Sequence, residues 1–232
     1  MSKTRIVFVH GMDGYGTAAW PAQHLLAGNY DCLFIKRTGF NAVEPPVPTN
    51  FAADARLVID ALGNGGHVVA HAQGAIAAMM AAVQRPDLVW SMVLLEPLLL
   101  SLTAELPATA AYSVHLADLF AHAKELTDKD FLSEFNTLMA VASPPGTETT
   151  RRVAARARLQ LPSTQAPLHI VPGVPTTVVT GGWEPLYEEV AQYLETTGAQ
   201  HIVHRGGHRP QDTPGGAALI EELLRVADVR AA

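Results

Sequence analysis

A chain of 232 residues, 48% apolar and only 16% charged, has the material for one compact core and is too hydrophobic for a disordered segment. Its net charge of −6, with no long block of one sign, argues against nucleic-acid binding, which needs clustered Lys and Arg. A single cysteine excludes an internal disulfide, and no apolar run approaches membrane-spanning length. The start Met1-Ser2-Lys3-Thr4-Arg5 lacks the apolar stretch of a secretion signal, so the expected compartment is the cytoplasm.

In chain order, the apolar run Arg5–Val9 predicts a strand that ends at His10-Gly11-Met12. A second strand is predicted over Tyr30–Ile35, with Cys32 expected as a buried core thiol. Phe51–Leu62 carries helical spacing, with Asn50 placed to cap its start and Gly63 just past its end. A strand over His67–Ala70 leads into the Ala- and Met-rich stretch Gly74–Arg85, which reads as a buried helix stopped before Pro86. Trp90–Leu95 is the fourth predicted strand, closed by Glu96 and Pro97.

The rhythm then breaks. Between Pro97 and Pro175 lie helical patterns at Ala108–Leu126, Asp128–Ala140 and Thr147–Gln160, separated by Ser143-Pro144-Pro145-Gly146 and Pro162-Ser163-Thr164. A structureless loop of this length is improbable in a compact domain, so a helical cap is expected over 98–170. The core would comprise 1–97 and 171–232. Strands at Thr176–Thr180 and His201–His204 and helices at Leu186–Thr196 and Gly216–Val226 complete it. Runs rich in Val, Ile and Leu that alternate with helices imply an α/β fold: a mainly parallel sheet of about six strands, helices on both faces.

The chemistry-bearing stretch is Ala70-His71-Ala72-Gln73-Gly74. A strand, a sharp turn and a small-residue helix are the setting of a nucleophile elbow, small-x-Ser-x-Gly, with Ala72 where the serine belongs. The motifs around it, His10-Gly11-Met12, an acid after a later strand, a helical insertion and a histidine after the last strand, stand in the order used by serine hydrolases of this type. Over nearly its whole length the chain resembles an α/β-hydrolase.

That resemblance implies the roles of specific residues. His208, in Arg205-Gly206-Gly207-His208-Arg209-Pro210, would be the base. Two glutamates compete for the acid. Glu184, after Thr180-Gly181-Gly182-Trp183, matches most members, whereas Glu96 matches zearalenone lactonase-like members. Glu96 is preferred, because it follows the most hydrophobic strand and a carboxylate there needs a partner. Glu184 heads a helix, where an acid is at home with the helix dipole. The oxyanion hole would come from the backbone N–H groups of Met12 and Gln73. Gly11, Trp183, Phe131 and Phe135 are candidate substrate contacts, with Trp20 as a further aromatic of pocket or core.

Three accounts of Ala72 are open: inactivation of a serine enzyme by substitution, a natural pseudo-enzyme or receptor that only binds, and chemistry that uses the histidine and the oxyanion hole alone. The first is preferred, since base and acid are both present. The expected parent activity is hydrolysis of a small, fairly apolar ester or lactone, because few cationic residues fall near the presumed site. Amide and carbon–carbon bond cleavage use the same groups. No cofactor and no metal are expected. His204 and His208 lack a carboxylate or thiol partner, and His115, Asp118 and His122 read as a solvated helix face. Gly11, Gly14 and Gly16 do not make Gly-x-Gly-x-x-Gly, no Tyr-x-x-x-Lys occurs, and no phosphate-binding loop is present. The expected partner is a small-molecule substrate, not nucleic acid or membrane.

Overall fold

The computed structural model describes residues 3–139 and 148–231. Its strands are β1 (Arg5–Val9), β2 (Asp31–Phe34), β3 (Gly66–His71), β4 (Val89–Leu95), β5 (Thr176–Thr180) and β6 (Gln200–Val203). They form one sheet in the order β2-β1-β3-β4-β5-β6, with every neighbouring pair parallel. The helices of the core are α1 (Phe51–Leu62) and α2 (Gly74–Gln84). Between β4 and β5 come α3 (Pro107–His122), α4 (Asp128–Met139) and α5 (Thr150–Arg158). The last two are α6 (Pro185–Thr196) and α7 (Pro214–Ala231).

Strand pleat splits each strand between two cores. Val7, Val9, Val68, Ala70, Met92 and Leu94 pack with α1, α2 and α6 on one face. Ile6, Phe8, Val69, Val93 and Leu95 pack on the other with Trp20, Leu26 and the α7 residues Ile220 and Leu224. Burial on both faces is why the strands read as unbroken apolar runs. Trp20 belongs to this core, fully buried with its ring tilted against Phe8.

The strand order reverses between β1 and β3, and a doubly wound sheet opens a crevice beyond its carboxyl ends at that point. In register, Val9 stands beside Ala70, and His71 beside Leu95. The segments leaving β1, β3 and β4 therefore emerge together at one rim.

Local signals explain most boundaries. The Asn50 side chain accepts the Ala53 N–H at 2.9 Å, and Gly63 follows α1 at φ +58°. Helix α7 starts earlier than the apolar pattern indicates: Thr213 takes the Gly216 N–H at 2.9 Å and Pro214 needs no amide partner in a first turn. Helix α3 ends at His122, short of Leu126. Cys32, expected as a buried thiol, is half-buried, because β2 is the edge strand; burial and the nearby Asp31 still push it up to about 11. Ala140, Ser143-Pro144-Pro145-Gly146 and Thr147 lie outside the described residues. No helix among the described residues is long and apolar enough to cross a membrane.

Candidate active site

After β3 the chain turns through Ala72 at φ +48° and enters α2. A left-handed alanine costs about 1 kcal/mol or more and persists only where its surroundings dictate it. Here its N–H donates to the Leu95 carbonyl at 2.9 Å, and its carbonyl accepts the Ala75 and Leu98 N–H groups at 3.1 and 3.2 Å. The flanking glycines serve close approach. A Cβ on Gly74 would stand 2.5 Å from the His10 carbonyl oxygen. One on Gly11 would stand 2.9 Å from His71 Nδ1 and 3.1 Å from the Ala72 Cβ. The turn after β1 is thus pressed against the elbow.

Glu96, directly after β4, is also left-handed, at φ +46°, and is fully buried. Its Oε1 accepts the Gly181 N–H and its Oε2 accepts the Trp183 indole N–H at 2.9 Å. The same Oε2 lies 3.6 Å from His208 Nδ1. That is longer than a hydrogen bond, and this nitrogen has no other partner among the described residues. Glu184 instead occupies the cap position of α6, partly exposed, where its charge helps to raise Tyr112 above its usual range. The acid brought to His208 is Glu96. Trp183 is a ligand of that acid, with its ring 6.3 Å from the His208 ring.

Sequence reasoning missed several residues here. Tyr187 of α6 is buried with its ring 5.3 Å from that of His208; its only sequence signal was a place on the apolar face of a helix. The His71 ring lies tilted against that of His208 with centroids 4.6 Å apart, and its Nε2–H donates to the His208 carbonyl at 2.8 Å. Asp13 faces the other ring nitrogen of His71 at 3.7 Å and is bound by Arg209, the residue after His208. Burial lowers His71 to about 3, against the pull of Asp13. Burial raises the Asp13 carboxyl, but His71 and Arg209 outweigh it and bring it to about 2. Arg209 also holds Asp212 and the Ala19 carbonyl, so it anchors the loop of the base from within the molecule.

Met12 and Gln73 line one small cavity with Leu116 and Phe120 of α3 and Phe135 and Met139 of α4. Among the described residues neither the Met12 nor the Gln73 amide donates to a backbone carbonyl. Phe131 is not at this surface: it is fully buried, stacked on Phe135 at 5.8 Å and covered by the Arg158 guanidinium. Apolar spacing alone could not tell which face of α4 turns inward. The expectation of few nearby cations is corrected. Arg37 reaches the Gln73 amide oxygen, and Arg156 lines the adjoining cavity with Met12 and Asp13. Each is already paired, Arg37 with Asp54 at 3.4 Å and Arg156 with Glu148 at 2.6 Å.

His204 and His122 lie apart from these groups. His204 follows β6 and pairs with the Thr213 hydroxyl at 2.8 Å. His122 pairs with Asp118 at 3.5 Å on an exposed face. Among the described residues no three His, Cys, Asp or Glu side chains group to hold a metal.

With this geometry in place, the whole chain can be set beside known proteins. Residues 6–218 match the model of the alpha/beta hydrolase family. The chain belongs to this family. Its fold is similar to that of MenH from S. aureus, at TM-score 0.70 and 13% identity, over 98% of this chain and 96% of that one. A thermophilic esterase from Thermogutta terrifontis aligns at TM-score 0.63 and 18% identity, over 97% and 91%. An epoxide hydrolase from Bacillus megaterium aligns at 0.62 and 14%, over 96% and 93%. At such identities the likeness of this α/β hydrolase to each is one of fold. No curated protein sequence matches it.

Proposed function

We propose that this α/β hydrolase is built to cleave a small, fairly apolar carboxylic ester or lactone through a Ser-His-Glu triad, and that the chain with Ala72 is a form lacking the nucleophile. The observation that carries this reading is the left-handed Ala72 at the switch point, directly after His71, whose ring contacts His208, the histidine that faces a buried, doubly hydrogen-bonded carboxylate. Alanine gains nothing from that conformation; a serine there would present its hydroxyl to the crevice.

With serine at position 72, His208 would take the hydroxyl proton as the oxygen attacks the carbonyl carbon. Glu96 would hold the imidazolium, closing its 3.6 Å gap as charge develops. The Met12 and Gln73 amides would receive the oxyanion. The leaving alcohol would take the proton back from His208, and water activated by the same base would release the acid. Leu116, Phe120, Phe135 and Met139, which line one cavity with Met12 and Gln73, support an apolar substrate, and the two nearby arginines, Arg37 and Arg156, are each paired with a carboxylate. This cavity measures about 10 Å³, room for about one water, so a substrate that fills it displaces the side chains of α3 and α4 that line it.

The test is Ala72→Ser assayed on short aryl esters and lactones. Turnover at least about 10³-fold above the Ala72 chain is expected, a floor below the roughly 10⁴- to 10⁶-fold lost when one member of such a triad is removed. If both proteins are equally inert, the hydrolytic reading fails. Saturable ligand binding without turnover would then favour the second reading, a binding homologue, to which Ala72 itself points.

A further inference from the structure

We infer that Arg37 is a positioning residue that aims the Met12 amide into the site and ties its turn to the Gln73 side chain; its catalytic consequence rests on the hydrolytic reading above. Arg37 follows β2 and is buried at 3% exposure. Its backbone N–H donates to His10 Nε2 at 3.0 Å, which leaves the His10 proton on Nδ1; that Nδ1–H donates to the Gly11 carbonyl at 2.9 Å. The Arg37 side chain then spans the whole turn. Its Nε–H donates to the His10 carbonyl at 3.0 Å, and its Nη2 to the Gly11 carbonyl at 2.8 Å and to Gln73 Oε1 at 3.2 Å.

In a trans peptide the C=O and the following N–H point in opposite directions. Two donors that fix the Gly11 carbonyl on the buried side therefore fix the Met12 N–H toward the crevice. Gln73 is held at its other end, where its Nε2 donates to the Leu161 carbonyl at 3.0 Å. One guanidinium thus ties together both residues that supply the amides. Only a planar fork does this; a lysine reaches one acceptor as a point charge. Burying a cation is expensive, and Asp54, 3.4 Å away, offsets the charge without taking up the fork.

The test pairs Arg37→Met with Asp54→Asn, so that no carboxylate is left buried and alone, and adds Arg37→Lys, which keeps the charge and the fold. In the Ala72 chain, the crystal structure and the Met12 amide resonance report the Gly11–Met12 peptide. Both variants are expected to rotate or disorder it while unfolding remains cooperative. In the Ala72→Ser background, kcat is expected to fall about 10- to 100-fold, at or below the roughly 10²- to 10³-fold lost with a whole oxyanion donor, with KM changed less than about threefold and no rescue by lysine. An unmoved peptide, or an unchanged kcat in an active Ala72→Ser protein, overturns the inference. A rotated peptide in a protein that Ala72→Ser fails to activate leaves the positioning intact and removes the hydrolytic reading.

Discussion

Among the described residues, Ala72 and Glu96 are the two non-glycine residues with positive φ, and they end neighbouring strands. Strain of this kind persists at sites where a side chain must be aimed. In the Ala72→Ser background, Glu96→Gln is expected to lower kcat by about 10²- to 10⁴-fold, as loss of the orienting acid does elsewhere, whereas Glu184→Gln changes it less than about threefold. Steady-state kinetics on one ester distinguish the two; the reverse ranking would assign the acid to Glu184. The same rim sets an acid limit on stability. His71 titrates near 3 in the fold against 6.5 when free, so the unfolded chain binds more protons between those values and stability falls as pH drops from 6.5 toward 3. Asp13, held at about 2 against 3.8, adds a loss from 3.8 downward. Urea unfolding from pH 7 to 3 is expected to give a declining curve that His71→Gln flattens between pH 6.5 and 4. The places of Ala72 and Glu96 were legible because each directly follows a strand, and that of His208 because it lies in the loop after the last strand. His71, Asp13, Arg209 and Arg37 were not, because their contacts join positions far apart in the chain.

At the scale of elements, the close approach of α2 to the turn after β1 is the most exacting contact. Gly74→Ala would place a Cβ 2.5 Å from the His10 carbonyl and 2.6 Å from that of Val9, both backbone atoms that cannot swing aside. A loss of about 1–3 kcal/mol is expected by chemical denaturation, together with loss of the activity conferred by Ala72→Ser. An unchanged midpoint would mean that the elbow has slack the geometry does not show. Strand and helix existence was readable from buried apolar runs and 3.6-residue spacing, and Asn50 and Gly63 marked α1 correctly. The start of α7 needed Thr213-Pro214 to be read as a cap, which the apolar pattern alone obscures. The inward face of α4 was unreadable, since Phe131 and Phe135 share one stripe and only packing separates core from cavity.

The whole molecule shows why residue types alone do not make a site. At the opposite rim, His67 of β3 bonds the Ser91 hydroxyl at 2.8 Å and Asp228 of α7 at 3.1 Å, a second serine–histidine–carboxylate chain. There the serine lies within strand β4 and the histidine is fully buried, so the chain ties α7 to the sheet. Ser91→Ala is expected to leave turnover by Ala72→Ser unchanged. What distinguishes the other rim is the switch point, where the strained turns at Ala72 and Glu96 meet the turn after β1. The most direct measurement is covalent trapping: Ala72→Ser treated with a fluorophosphonate and read by peptide mass spectrometry. The account predicts one adduct, on the serine introduced at position 72, abolished by His208→Ala and absent from the Ala72 chain. An unlabelled protein, or labelling that persists without His208, would contradict it.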